Sequence, residues 1–270
     1  MTFEGGTIWI TGASSGIGAA LARETASRGA AVVLSGRDEE RLAQVAADCG
    51  ETLILPFDVR DEAAMSAATV RAIEWRGGID MFVANAGVSQ RSRASETAMQ
   101  VYRDIIDIDL TSQISATQAL LPHVIERGHG ALVFISSVAG KVGVPMRTAY
   151  CAAKHGLIGY ADALRAELSQ TGVSVHVVCP GSVATDVSRN ALSADGTARG
   201  RSDAIIDNGI PAPDAARAIA DAVAAGTREI IVARGGEQGI GEQRRTPDEV
   251  FDSFAAMVAD GYMERMDGEG

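Results

Sequence analysis

Lysine is almost missing from this chain: 22 arginines stand against only Lys141 and Lys154. Positive charge is short altogether. The 270 residues carry 24 Lys+Arg against 35 Asp+Glu, a formal net charge of −11. A surface of that sign argues against nucleic acid or an anionic membrane as partner, and for solubility. Cysteine is equally sparse. Cys49, Cys151 and Cys179 are odd in number and scattered, with no C-x-x-C spacing, so no disulfide framework is expected and a reduced cytoplasm fits best. Cys151 adjoins Tyr150, but neighbouring residues on a helix point to different faces, so it reads as packing. The four histidines (His123, His129, His155, His176) show no paired ligand spacing, and no metal site is expected. His176 sits in an alternating apolar stretch and reads as a core or edge-strand residue. Long hydrophobic runs are missing too. Ile8-Trp9-Ile10 is far too short for a signal peptide or a bilayer span, which predicts a cytoplasmic chain without a membrane anchor.

What is present is enough apolar residue for a full core, 46% of the chain, and the expectation is one α/β domain over residues 1–270. Short apolar runs predict strands at Thr7–Thr11, Ala31–Ser35, Thr52–Pro56, Ile79–Val83, Ala131–Ser136, Val173–Cys179 and Glu229–Val232. Helical patterns lie between them: Ile17–Arg28, Glu39–Asp48, Asp61–Trp75, about Glu96–Arg127, Ala149–Gln170 and Asp214–Ala225. That alternation predicts a doubly wound parallel sheet of about seven strands with helices on both faces. The polar stretch 182–213 follows a strand end and reads as a lid over a site, with a disordered excursion as the alternative. Beyond it, Val250, Phe251, Phe254, Val258 and Tyr262 recur at near-helical spacing. They predict a helical tail over about 247–266 that covers the core or meets a partner subunit.

Tyr150 and Lys154 form Y-C-A-A-K. Residues four apart on a helix share a face, so the ammonium sits beside the phenol. A nearby cation favours phenolate and is expected to lower the tyrosine pKa toward working pH. Such a phenol can give or take a proton at an oxygen that gains or loses a hydride. The other reading is a surface Tyr/Lys pair on an amphipathic helix.

Thr11-Gly12-Ala13-Ser14-Ser15-Gly16-Ile17-Gly18 joins the first strand to the first helix. Glycines there permit a tight turn and let backbone approach a pyrophosphate at a helix N-terminus. The spacing is G-x-x-x-G-x-G, which differs from the older G-x-G-x-x-G fingerprint. The second strand ends at Ser35-Gly36-Arg37, where an NAD site usually puts an acid for the ribose hydroxyl. Gly36 and the cationic Arg37 suit a 2′-phosphate, with Ser14 and Ser15 assisting, so NADP(H) is expected over NAD(H). Asp38 is read as the cap of the next helix. Asp58, followed by Val59, is read either as an acceptor for an adenine amino group or as a helix cap. Asn85-Ala86-Gly87 ends the fourth strand, where small residues allow close approach to a cofactor.

With these motifs in order, the chain resembles the short-chain dehydrogenase/reductase family over roughly residues 6–235. The likeness rests on T-G-A-S-S-G-I-G, N-A-G, Ser137 with Tyr150 and Lys154, and Pro180-Gly181-Ser182-Val183-Ala184-Thr185. Residues 136–146, S-S-V-A-G-K-V-G-V-P-M, are similar to the 11β-hydroxysteroid-dehydrogenase-like branch, whose members often carry an N-terminal anchor that is not read here. The resemblance implies a Rossmann-like fold and hydride transfer between nicotinamide and a lipophilic carbonyl or alcohol. It implies Tyr150 as general acid/base, Lys154 as its modulator and ribose ligand, and Ser137 as hydrogen-bond donor to the substrate oxygen. It implies that Pro180, Gly181, Val183 and Thr185 hold the nicotinamide end. It also implies a homodimer or homotetramer. The helix bearing Tyr150 has an apolar opposite side (Leu157, Ile158, Ala161, Leu164, Leu168) that is either core or interface.

One position departs from the family pattern. Asp109, within Asp107-Ile108-Asp109-Leu110, replaces an asparagine that helps a water link the lysine to solvent. The expectation is a surviving relay with a shifted pH optimum; the alternative is an NADP(H)-binding sensor or scaffold with little turnover. A lyase or epimerase on the same fold is disfavoured, because such relatives tend to carry a larger C-terminal substrate domain. Val138, Val142, Val144, Met146 and Leu192 are the expected apolar lining of a substrate pocket. Arg147 reads as a solvated loop residue, with selection of an acidic group as the alternative.

Overall fold

The computed structural model describes residues 3–262. Its strands are β1 (Thr7–Thr11), β2 (Ala31–Gly36), β3 (Thr52–Pro56), β4 (Met81–Ala84), β5 (Gly130–Ile135), β6 (Val173–Pro180), β7 (Val183–Ala184), β8 (Ile210–Pro211) and β9 (Glu229–Val232). Its helices are α1 (Gly16–Ser27), α2 (Glu39–Ala46), α3 (Glu62–Arg76), α4 (Met99–Ile106), α5 (Ser112–Arg127), α6 (Thr148–Glu167), α7 (Ala204–Asp207), α8 (Ala212–Ala224), α9 (Gly235–Gln243) and α10 (Asp248–Ala259). Seven strands make one parallel sheet in the order β3-β2-β1-β4-β5-β6-β9, and β7 pairs with β8 separately.

Alternation along each strand sorts the core. Ile8 and Ile10 of β1 face the layer of α1, α2 and α8, whereas Trp9 faces α3, α5 and α6. Trp9 is fully buried. Its indole N–H is satisfied by Ser35 Oγ at 2.9 Å, and its ring lies 5.1 Å from that of Phe82. The strand order reverses between β1 and β4, which opens a crevice at the carboxyl ends of the strands. His176 lies on the interior strand β6 and is buried, with its ring nitrogens on Thr227 O and Ser174 Oγ.

The single helix expected over Glu96–Arg127 is instead two. A π-helical turn at Asp107–Thr111 joins α4 to α5. A π turn holds one more residue than an α turn and re-aims a side chain. Here it points the Asp109 carboxylate inward, where the Val88 N–H and Lys154 receive it.

The apolar side of α6 is core. Leu157, Ile158, Ala161, Leu164 and Leu168 are all buried in the layer with α3 and α5. The tail helix α10 docks through Phe251, whose ring lies between the guanidinium groups of Arg165 (4.3 Å) and Arg228 (5.9 Å). Val250, Phe254 and Tyr262 stay exposed, so only part of the tail's apolar pattern covers the body. Residues 263–266 of the expected tail lie outside the described residues. Among the described residues no helix is long and apolar enough to cross a membrane.

The 182–213 stretch is ordered by a latch. Asp203 accepts from Arg91 Nε (2.8 Å), from Ser188 Oγ (2.8 Å) and from Arg199 Nη1. Arg91 stands in the loop after β4 and also donates to Ser89 Oγ and Gln90 O, so this salt bridge ties the 182–213 stretch to the body.

Candidate active site

The loop after β1 turns through Gly12 (φ 63°) and Gly16 (φ 56°), left-handed conformations that favour glycine. Gly18 packs so closely that a Cβ there would stand 2.4 Å from Gly12 O. The loop is held from β4. Asn85 Nδ2 donates to Thr11 O (2.9 Å) and Gly12 O (3.2 Å), and the Asn85 and Ala86 N–H groups donate to Thr11 Oγ1. Asn85 therefore shapes the loop with its side chain, beyond allowing close approach. Ser15 is the N-cap of α1 in extended conformation, with no side-chain cap bond. Ile17 packs against the core of the α1 side. Across the crevice, Thr185 faces the loop: a Cβ on Gly16 would meet its Cγ2 at 3.3 Å. An open cavity of about 940 Å³ adjoins the loop between Ser14–Gly16, Arg41 and Thr185, and Tyr150 is not part of its lining.

At the end of β2, Asp38 caps α2 by accepting from the Arg41 N–H (3.0 Å). The hydroxyl of Ser14 lies against Gly36, 3.4 Å from where a Cβ would be. Arg37 is exposed beside it. The cap reading of Asp58 is overturned: Asp61 caps α3 through the Ala64 N–H. Asp58 is instead clasped by the side chain and backbone N–H of Arg60, which hold its carboxyl down at about 2. Val59 is half-buried against the core beside it.

The structure brings Ser137, Tyr150, Lys154 and Asp109 together. Tyr150 and Lys154 share a face of α6, with the ammonium 5.7 Å from the phenol ring centroid. Lys154 Nζ donates to Ile135 O (3.0 Å) and lies 3.2 Å from Asp109 Oδ2. Asp109 Oδ1 accepts from the Val88 N–H at 2.8 Å. Gly87 closes the other side, since a Cβ there would stand 2.8 Å from Asp109 Oδ2. Ser137, at the end of β5, caps the turn Val138–Gly140, donates to Pro180 O (3.3 Å) and is within hydrogen-bonding reach of the Tyr150 phenol. Its neighbour Ser136 points away, to Lys154 O.

The electrostatics correct one expectation. The Tyr150 phenol lies above its ordinary value, because burial outweighs the lowering by Lys154 and the Asp109 carboxylate adds to the rise. Burial likewise raises Asp109, against the pull of Lys154 and the Val88 N–H.

On the expected substrate side, Tyr150, Val88 and Leu192 all pack against one small cluster of Val101, Ile105, Ala149 and Ala153. Leu192 is bridged to the body through its N–H to Ser89 O and its carbonyl to the Arg91 N–H. Val138 is buried, Val142 and Val144 are half-buried, and Met146 is exposed at a left-handed φ of 64°. Cys151 packs, with Sγ accepting from the Val144 N–H.

Several supports carry no local sequence signal. Gln90 is fully buried, accepts from the Ala149 N–H at the start of α6 and donates to Ser92 and Thr97. Gln113 holds Ala86 O. Glu237 of α9 accepts from the Ser182 N–H and hydroxyl, both at 2.8 Å, and grips the Pro180–Ser182 turn that leads to Val183 and Thr185. Only a long-range contact could have revealed these.

Residues 6–196 match the short chain dehydrogenase family. The chain belongs to that family. It is 39% identical over 199 residues to Dehydrogenase/reductase SDR family member 7 of Homo sapiens, covering 70% of this chain and 59% of that protein. It is 35% identical over 234 residues to family member 7B of Danio rerio, covering 83% and 76%. The chain thus spans about three fifths of the human relative. Among solved structures, a short chain dehydrogenase/reductase from Burkholderia phymatum in complex with NAD superposes with TM-score 0.77 at 25% identity, covering 86% of this chain and 90% of that one. A short-chain dehydrogenase from Streptomyces avermitilis superposes equally well at 27% identity, covering 98% and 100%. Short chain dehydrogenases are a family of oxidoreductases, and the Burkholderia phymatum member binds NAD on this fold.

Proposed function

We propose that this protein transfers a hydride between NADP(H) and a carbonyl or secondary alcohol of a small lipophilic substrate. One observation carries the reading: Ser137, Tyr150 and Lys154 converge at the carboxyl end of the sheet, beside a glycine loop built to approach a pyrophosphate. Gly12, Ser14, Ser15, Gly16, Ile17 and Gly18 would hold the pyrophosphate side. Asp58, Val59, Asn85, Ala86 and Gly87 would border the adenosine and ribose. Pro180, Gly181, Val183 and Thr185 would border the nicotinamide. The phosphorylated cofactor is favoured because Asp38 is spent on capping α2, leaving Gly36, Arg37 and Ser14 to meet the ribose. The bound nicotinamide supplies or accepts the hydride. Ser137 donates to the substrate oxygen and fixes it beside Tyr150. In reduction the Tyr150 phenol, kept protonated by its raised pKa, gives its proton to that oxygen; in oxidation the phenolate takes it back. Lys154 stabilises the phenolate and is itself held by Ile135 O and Asp109.

Asp109 favours a second reading, a cofactor-binding sensor with little turnover, since its carboxylate draws on the charge of Lys154. Consumption of NADPH and NADH against a panel of aliphatic, aromatic and steroidal ketones and aldehydes separates the two. NADPH-dependent turnover supports the reductase. Tight NADPH binding with no turnover across the panel supports the sensor. We further place the chain in a reducing cytoplasm, on its three free and buried cysteines, and as a homodimer or homotetramer, on family likeness alone.

A further inference from the structure

Among the described residues seven arginines are half-buried. Six of them (Arg28, Arg91, Arg127, Arg165, Arg199, Arg228) each form an ion pair with a carboxylate. Arg147 is half-buried as well, yet among the described residues its guanidinium has no carboxylate partner and no hydrogen bond. It stands immediately before α6, three residues from Tyr150, in the field of Tyr150, Arg91, Asp203 and Cys151. Asp203, whose charge acts on it, is committed elsewhere, because both its oxygens are taken by Arg91, Arg199 and Ser188. Burial and the neighbouring Arg91 cation push the Arg147 guanidinium down from its usual range, so it gains by meeting an anion. Among the described residues no carboxylate pairs with it.

We propose that Arg147 binds a carboxylate on the substrate, making the preferred substrate a lipophilic oxo acid or hydroxy acid rather than a neutral ketone. The proposal rests on the reductase reading and narrows its substrate class. The apolar part of the molecule would lie against Val88 and Leu192, which border the same apolar cluster as Tyr150. A guanidinium presents two parallel N–H donors that match a carboxylate, which fixes the orientation of the neighbouring carbonyl as well as the affinity. Arg147 would position substrate without touching the reacting atoms.

The test compares oxo acids of graded chain length with their methyl esters, in wild type, Arg147→Gln and Arg147→Lys. Wild type should favour acid over ester in kcat/KM by roughly 10- to 100-fold, the value of a charge-assisted hydrogen bond. That ratio should collapse toward one in Arg147→Gln and return in part in Arg147→Lys. An equal ratio in wild type and Arg147→Gln overturns the proposal. A second readout needs no turnover: in ¹⁵N-arginine-labelled protein, the Arg147 Nε–H resonance should shift saturably with phenylglyoxylate and stay fixed with its methyl ester. If no acid or ester turns over but that resonance shifts, the reductase reading fails and the anion site stands. If the resonance stays fixed with the acid, the anion site fails whatever the activity.

Discussion

The Asp109 carboxylate lies 3.2 Å from the Lys154 ammonium, and both side chains are buried. The lysine beneath the candidate catalytic tyrosine therefore belongs to an ion pair. Its cation lies between the Asp109 carboxylate and the Tyr150 phenol.

Asp109→Asn should move the pH dependence of catalysis. The carboxylate raises the Tyr150 pKa, so removing its charge lowers it. The acid limb of the oxidation profile and the alkaline limb of the reduction profile should both shift to lower pH. Paired pH–rate profiles check this. Superimposable profiles would mean that Asp109 does not act on the phenol.

The other lysine is also in a buried pair. Lys141 Nζ lies 2.8 Å from Glu229 Oε1, with side-chain exposures of 5% and 1%. Glu229→Gln strands the ammonium and should cost about 3–5 kcal/mol in urea unfolding. The double variant Lys141→Met/Glu229→Leu should recover most of that loss. An equal loss in the double variant would show that packing, not charge, is at stake.

Arg37→Gln should weaken NADPH binding by roughly tenfold while NADH binding moves little, as expected for one lost phosphate contact. Fluorescence titration of each reduced cofactor reads the ratio. An unchanged ratio would remove Arg37 as the selector.

The Asp203 latch on residues 182–213 should persist at low pH. Arg91, Arg199 and Ser188 hold the Asp203 carboxyl well below the ordinary range despite its partial burial. A depressed folded pKa means the contribution is complete above the unfolded value, near 3.9, and is lost as pH falls through the folded value. Asp203→Asn should open residues 182–213 to hydrogen exchange at neutral pH and raise KM more than it lowers kcat. Unchanged exchange would deny the latch.

The sheet was legible because each buried strand is a short apolar run. β1, β3 and β9 begin and end where the pattern placed them. The Tyr150, Lys154 and glycine-loop positions were legible because local spacing puts them on one helix face or one turn. The π turn at Asp107–Thr111 was not, since the apolar pattern of α4 and α5 runs through it without a Gly or Pro to mark a break. Nor was the raised Tyr150 pKa, which depends on burial and on a carboxylate from another element. The pairing of Lys141 with Glu229, and the grip of Glu237 on Ser182, join segments far apart in sequence and leave no local trace.

In the proposed reaction Tyr150 transfers the proton while the rest of the site holds cofactor and substrate. Tyr150→Phe keeps the ring and removes the hydroxyl. On the best substrate of the carbonyl panel it should lower kcat by about 10²- to 10⁴-fold with NADPH affinity retained. Turnover equal to wild type in Tyr150→Phe would contradict the account.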